Sequence, residues 1–343
     1  MHYSPKTVFL FFLSCIVLIF NHGLVTAASN VGLNYGLLGD NLPSPSNVIN
    51  LYQSIGITKV RIFEPNTEVL NALRGHCDIK VTVGVRDQVL AALAASEEAV
   101  KGWFTTNIKP YLADVNIAFI TVGNEVIPGP IGPQVLPVMT SLTNLVKSRN
   151  LPISISTVVS MVNSDSLTHL LPETFTSQAR EQLTPVLKFL SQTSTPILVN
   201  IYPYFPYASD PVNIHLDYTI SKSEAVLVQD GPLGYSNMFD AMFDAFVWAM
   251  EKEGVKEDLP VVVSETGWPS AGNGEFTTPD IAATYNGNFV KHVVSVKGTP
   301  KRPNSGVDGF LFATFNENQK PPGTEQHFGL YDPVDMKPFY KLF

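Results

Sequence analysis

The chain has 343 residues, of which 45% are hydrophobic, 15% charged and 10% aromatic, a composition that excludes a disordered or collagen-like protein. Lys and Arg total 22 against 30 Asp and Glu, a formal net charge of -8, so no basic surplus exists to neutralise phosphates and nucleic acid is excluded as a partner. Length alone does not decide between two ordinary domains and one α/β barrel of about 250 residues or more.

At the N-terminus, His2 and Lys6 precede the uncharged apolar run 8–20, and the small residues Thr26-Ala27-Ala28 follow. This pattern predicts a secretory signal peptide over 1–28, because the run is too short to cross a bilayer core of about 30 Å. The segment 338–343 has no hydrophobic tail of the kind that precedes a lipid anchor, so the remaining chain, 29–343, is expected to carry no membrane anchor. Cys15 falls inside the signal, which leaves Cys77 alone and permits no internal disulfide; Cys77 reads as an inert, buried thiol. There is no Asn-x-Ser/Thr sequon.

From residue 31 onward, eight short β-branched apolar runs alternate with stretches of helical period. The runs are 31–35, 59–63, 79–85, 117–122, 153–159, 197–202, 260–264 and 309–315. Helices are predicted over 46–55, 67–73, 88–111, 134–148, 178–190, 238–253 and 279–295, several opening on a capping residue or a first-turn proline. Continuous apolar strands alternating with helices imply a parallel sheet covered on both faces, and eight repeats imply closure. An open doubly wound sheet usually carries a glycine-rich phosphate loop, and neither GxGxxG nor GxxxxGK[ST] occurs. The fold class is therefore α/β, a single (β/α)8 barrel over 29–343. The long interval 202–240, rich in Pro, Tyr and Asp, predicts an elaborated loop beside the barrel mouth.

In such a barrel the active site lies at the C-terminal ends of the strands. The fourth run is followed by Gly123, Asn124 and Glu125, and the seventh by Glu265, Thr266, Gly267 and Trp268. Two carboxylates facing one another across a barrel mouth suit glycoside hydrolysis, in which one protonates the leaving oxygen and the other attacks the anomeric carbon or activates water. Tyr35, Phe63, Tyr202, Tyr204, Phe205, Trp268 and Phe315 stand at other strand ends, where rings can stack on sugars or close the top of the core. The seven histidines are dispersed with no His-Glu-x-x-His pattern, and no Gly-x-Ser-x-Gly elbow is present. Neither metal nor cofactor is expected.

The segments Val31-Gly-Leu-Asn-Tyr-Gly36, Val122-Gly-Asn-Glu-Val126, Val199-Asn-Ile-Tyr-Pro-Tyr-Phe205, Val263-Ser-Glu-Thr-Gly-Trp-Pro-Ser270 and His327-Phe-Gly-Leu-Tyr331 resemble plant endo-β-1,3-glucanases of glycoside hydrolase family 17. The resemblance runs in order through the whole chain after the signal. It implies a retaining mechanism with Glu125 as general acid/base and Glu265 as nucleophile, Asn124 bonded to a sugar 2-hydroxyl, and Tyr202 orienting the nucleophile. It further implies that Glu317, Lys320 and Glu325 form a polar cluster beside the site; a surface ion pair is the bland alternative for Glu317 and Lys320. Tyr35, Phe205 and Trp268 are expected to meet the β-glucan substrate. A monomer secreted to the cell wall or apoplast, or held in a vacuole, would fit, with a role in plant defence or wall metabolism.

Two departures from the family pattern stand out. Phe63-Glu64-Pro65 replaces the commoner Tyr-Asp-Pro, and Ser166-Leu-Thr-His-Leu-Leu-Pro-Glu-Thr-Phe175 replaces a Pro-Pro-Ser-rich loop. The C-terminal carbohydrate-binding module of some relatives has no counterpart, so binding is expected from the barrel cleft. The same catalytic groups would serve a mixed-linkage β-1,3/1,4-glucanase. A barrel that had lost activity would be a secreted β-glucan-binding defence protein.

Overall fold

A computed structural model of the chain describes residues 31–161, 174–256 and 258–343. The expected signal segment 1–28 and positions 166–173 of the loop after the fifth strand lie outside the described residues.

The apolar runs become strands in the expected order. β1 (Val31–Asn34), β2 (Lys59–Ile62), β3 (Lys80–Val85), β4 (Asn116–Asn124), β5 (Ser154–Ser160) and β6 (Ile197–Asn200) are followed by a small hairpin, β7 (Val228–Asp230) and β8 (Leu233–Tyr235), and then by β9 (Val261–Thr266) and β10 (Asp308–Leu311). All but the hairpin join in one closed parallel barrel, with β6 pairing to β9 and β10 returning to β1. Val, Ile and Leu dominate these strands because one face packs inside the barrel and the other against helices. The covering helices show the matching period: Val135–Ser148 buries Val138, Met139, Leu142, Leu145 and Val146 along one stripe.

The span 88–111, expected as one helix, is broken in two: Leu90–Ala94 and Glu97–Asn107. The cause is Ser96, whose Oγ accepts the backbone N–H groups of Glu98 and Ala99 at 3.1 and 3.3 Å. With Glu97 and Glu98 in the first turn, this cap starts a new helix rather than continuing the old one. Cys77 is part-buried rather than buried, so its packing is looser than expected.

The interval 202–240 is elaborated as expected. It folds into two short helices, Tyr204–Ser209 and Leu216–Thr219, and the β7–β8 hairpin, before the helix Met238–Lys252. Beneath it lies a second apolar cluster, separate from the main core, that includes Tyr204, Tyr207, Ile214, Trp268, Tyr285, Phe312 and Phe328. No described helix is long and apolar enough to cross a membrane.

Candidate active site

Three of the barrel's register irregularities fall towards the C-terminal ends of its strands: between Thr121 and Asn124 against β5, between Val199 and Asn200 against β9, and between Gly309 and Leu311 of β10 against β9. Such bulges re-aim side chains, and here they turn Asn124, Glu125, Asn200 and Glu265 toward one mouth. Gly123 makes the sharpest turn. Its φ is 75°, and a Cβ there would lie 2.8 Å from Val126 Cγ2. Glu125 follows with φ 58°, a left-handed conformation that a side chain adopts at some cost, typical of functional positions. The Glu125 N–H donating to Val158 O at 3.0 Å and the Asn124 N–H donating to Asp87 Oδ1 at 3.1 Å hold this turn.

The centre of the mouth is a hydrogen-bonded network. Glu265 accepts from Arg61 Nη1 at 2.5 Å on Oε1 and from the Tyr202 hydroxyl at 2.8 Å on Oε2. Arg61 is 1% exposed and extends the network, donating from Nη1 to Asn34 Oδ1 at 3.1 Å and from Nη2 to Asn124 Oδ1 at 2.8 Å. Its guanidinium also lies over the Phe63 ring, 4.5 Å from the centroid. A buried ion pair of this kind repays its desolvation only when the remaining donors and acceptors are satisfied, which Asn34 and Asn124 largely do.

Glu125 stands in different surroundings. It accepts from Asn200 Nδ2 at 2.9 Å. Burial pushes its carboxyl above the ordinary range and the Glu265 carboxylate adds to the shift, while hydrogen bonds from Asn200 and Ser160 and the Arg61 charge oppose it. Burial and the Glu265 charge likewise raise the Tyr202 hydroxyl well above its usual value, so Tyr202 is held as a donor. One carboxylate held by a cation and a phenol, beside a second whose carboxyl is raised above the ordinary range, is an arrangement that can supply a nucleophile and an acid together.

The cavity enclosing this network has a volume of about 1040 Å³. Of the residues singled out from the sequence, Glu125, Glu265, Tyr35, Asn124, Tyr202, Phe205, Glu317, Lys320 and Glu325 all line it. Glu317 is buried, accepts the Leu38 N–H at 2.9 Å and pairs with Lys320 Nζ at 3.2 Å; Lys320 also stands 4.0 Å over the Phe312 ring. This is a cleft pair rather than a surface one. A Cβ on Gly36 would lie within 2.3 Å of the Glu317 carboxylate, which explains why glycine stands there.

Trp268 requires a correction. It is 0% exposed, its Nε1 donates to Phe276 O at 2.9 Å, and its ring packs against Tyr204 and Tyr285 at 5.2 and 5.6 Å. It closes the core under the 202–240 elaboration, packed into the second apolar cluster, rather than offering a face to a sugar. Tyr204 and Phe315 are buried as well. Phe205 is 38% exposed, the most open of these rings, while Phe63 and Tyr202 are part-buried. Sequence reading missed Arg61, Asn34, Asn200, Ser264 and Asp87. For Arg61 a signal existed: a charged residue inside a short strand that must bury both faces requires a counter-charge.

A parallel eight-stranded barrel whose mouth holds two glutamates in unequal surroundings defines a hydrolase of the paired-carboxylate (β/α)8 class. Residues 31–343 match the model of "Glycosyl hydrolases family 17", and the chain belongs to that family. It is 78% identical, over the full length of both chains, to the probable glucan endo-1,3-beta-glucosidase BG4 of Arabidopsis thaliana. Against the glucan endo-1,3-beta-glucosidase of Vitis vinifera it is 40% identical, with 90% of each chain covered. Among solved structures, it matches one of two plant β-glucan endohydrolases with distinct substrate specificities at TM-score 0.85 and 37% identity, covering 91% of this chain and 99% of the other. It also matches a β-1,3-glucanase and allergen of Cryptomeria japonica pollen at TM-score 0.85 and 40% identity, covering 92% and 98%.

Proposed function

We propose that the chain hydrolyses internal β-1,3-glucosidic bonds of β-glucans by double displacement, with Glu265 as nucleophile and Glu125 as acid and base. The observation that carries this reading is the asymmetry of the pair: both Glu265 oxygens are occupied by strong donors, Arg61 and Tyr202, while burial and the Glu265 charge raise the Glu125 carboxyl. In the first step Glu125 gives its proton to the glycosidic oxygen as Glu265 attacks the anomeric carbon, forming a glycosyl ester and releasing the shortened chain. In the second, Glu125 takes a proton from water, whose oxygen displaces Glu265 and restores both groups.

The surrounding groups have definite tasks in this scheme. The Arg61 guanidinium and the Tyr202 hydroxyl aim the nucleophile and receive the carboxylate when the ester breaks. Asn124 uses Oδ1 on Arg61, so its amide donor end is the one turned toward a sugar 2-hydroxyl. Phe205, with the Glu317, Lys320 and Glu325 cluster, lines more distant parts of the groove and binds further sugar units. Similarity to the glucan endo-1,3-beta-glucosidases and the β-1,3-glucanase above supports β-1,3 linkage. The apolar run 8–20 supports secretion to the cell wall or apoplast, or delivery to a vacuole, and a groove completed by residues of one chain supports action as a monomer.

Reducing-sugar release from a soluble β-1,3-glucan, run beside a mixed-linkage β-1,3/1,4-glucan, tests the reading. Faster release from the β-1,3-glucan is expected, with Glu265→Ala lowering it by about 10⁴-fold or more, the scale of losing an essential catalytic group. No release from either glucan would reject it, and preference for the mixed-linkage chain would replace it with the second linkage.

A further inference from the structure

Behind the Glu125 carboxyl lies a second layer of polar contacts that the double-displacement scheme does not use. Asn200 is 1% exposed and borders the cavity, whereas Ser264, 0% exposed, stands behind it and outside the cavity lining. The Ser264 hydroxyl donates to Asn200 Oδ1 at 2.6 Å, and Asn200 Nδ2 donates to Glu125 Oε1 at 2.9 Å. Ser264 is fixed in turn, because Asn34 Nδ2 donates to its backbone oxygen at 3.0 Å and to Leu311 O at 3.2 Å. The relay therefore runs from β9, one residue before Glu265, through the end of β6 to the residue following β4.

A carboxamide has a donor end and an acceptor end, and exchanging them reverses what it offers each neighbour. If the Asn200 amide were turned over, its oxygen would face Glu125 Oε1. That contact is favourable only when Oε1 itself carries the proton. Ser264 weights this choice: its hydroxyl could also accept from a turned-over amide, but the buried O–H would then lose the acceptor it now has in Asn200 Oδ1. Other groups face Glu125 as well: Glu265 from β9, Arg61 from β2, the Tyr202 hydroxyl after β6 and the Ser160 hydroxyl at the end of β5, while Asp87 reaches only the neighbouring Asn124 N–H. None of them contacts the Asn200 oxygen in the way Ser264 does.

Resting on the acid/base role given to Glu125, we propose that Ser264 is a positioning residue: by donating to Asn200 Oδ1 it holds the amide with its donor end on Glu125 Oε1, which favours the transferable proton on the other carboxyl oxygen. The relay thus selects which oxygen of the acid delivers the proton. It also ties the orientation of the acid to the strand that carries the nucleophile.

Ser264→Ala frees the amide to turn over and accept from a protonated Glu125, which stabilises the neutral acid. The alkaline limb of kcat against pH should then move upward by about half a unit or more, with kcat on a soluble β-1,3-glucan lowered about tenfold and KM little changed. With an aryl glycoside whose leaving group needs no protonation, the loss should be under about twofold. Ser264→Thr, which keeps the hydroxyl, should restore the limb. An unmoved limb with equal losses on both substrates would mark Ser264 as mere packing and overturn the proposal.

A measurement on the unmodified chain covers the case in which Ser264→Ala does not fold. The Asn200 side-chain amide resonance, assigned by its loss in Asn200→Ala, should remain one slowly exchanging pair through the Glu125 titration. Broadening or a second set of signals across that titration would overturn the lock. This readout needs no substrate, so a chain that failed to cleave β-1,3-glucan would defeat the functional reading while leaving the lock to be judged separately.

Discussion

Glu125 and Glu265 are chemically identical residues made different by their neighbours. Because burial and the nearby Glu265 charge raise the Glu125 carboxyl, it holds its proton to higher pH than an exposed glutamate would. The sign follows: activity that needs the acid form is present at low pH with respect to this group and is lost as pH rises through the raised value. Glu125→Ala should abolish that alkaline limb with an activated leaving group, and a limb that persists would assign the proton to another residue. Arg61 offers a second test. Its guanidinium serves Asn34, Asn124 and Glu265 together through two nitrogens, whereas the single ammonium of Arg61→Lys cannot span all three. A fall in kcat of about 10²-fold is expected, measured on the same glucan; near-normal kcat would show that charge alone suffices.

At the scale of elements, the β7–β8 hairpin walls the cleft with Val228, Asp230 and Tyr235 and is tied to the helix Met238–Lys252 through Asp244. That buried carboxylate accepts from Thr299, from the Lys301 N–H at 2.8 Å and from Tyr235. Burial nevertheless pushes it up to about 6, above its value in an unfolded chain. A raised folded-state value means that the stability it contributes is fully present at low pH and is lost as pH rises through about 6, by up to about 3 kcal/mol. The gap in unfolding free energy between wild type and Asp244→Asn should therefore shrink between about pH 4 and 7, as followed by urea melts. A gap constant with pH would contradict this anchor.

Elements also show where the sequence could and could not be read. Strands such as Val261–Thr266 are legible because a continuous β-branched run leaves few other structures possible. The break at Ser96 was legible in principle, since Ser-Glu-Glu is a helix start, but a run of helical period on both sides hides it. Trp268 shows a sharper limit: proximity in sequence to Glu265 places it near the mouth without revealing which way its ring turns.

Across the whole molecule, barrel closure creates the site. Arg61 and Glu265 are 204 residues apart in the chain, and Asn34 lies 230 residues from Ser264, so neither contact leaves a local pattern. The two glutamates were legible because they stand just past apolar runs at the functional end of a barrel; their supporting ring was hidden because Asn34, Arg61 and Asn200 lie inside or at the edge of those runs. The open cavity, with Phe205 at its rim, predicts internal cleavage. Early products from a soluble β-1,3-glucan should be oligosaccharides of mixed length, and glucose alone from the first minutes would exclude an open groove.

In the proposed mechanism Glu265 and Glu125 act by two successive displacements at one carbon. Each displacement inverts the anomeric centre, so the two together preserve it. Proton NMR recorded immediately after mixing enzyme with β-1,3-glucan reads the result before mutarotation obscures it. The newly formed reducing end is expected first as the β anomer; an initial α anomer would rule out double displacement.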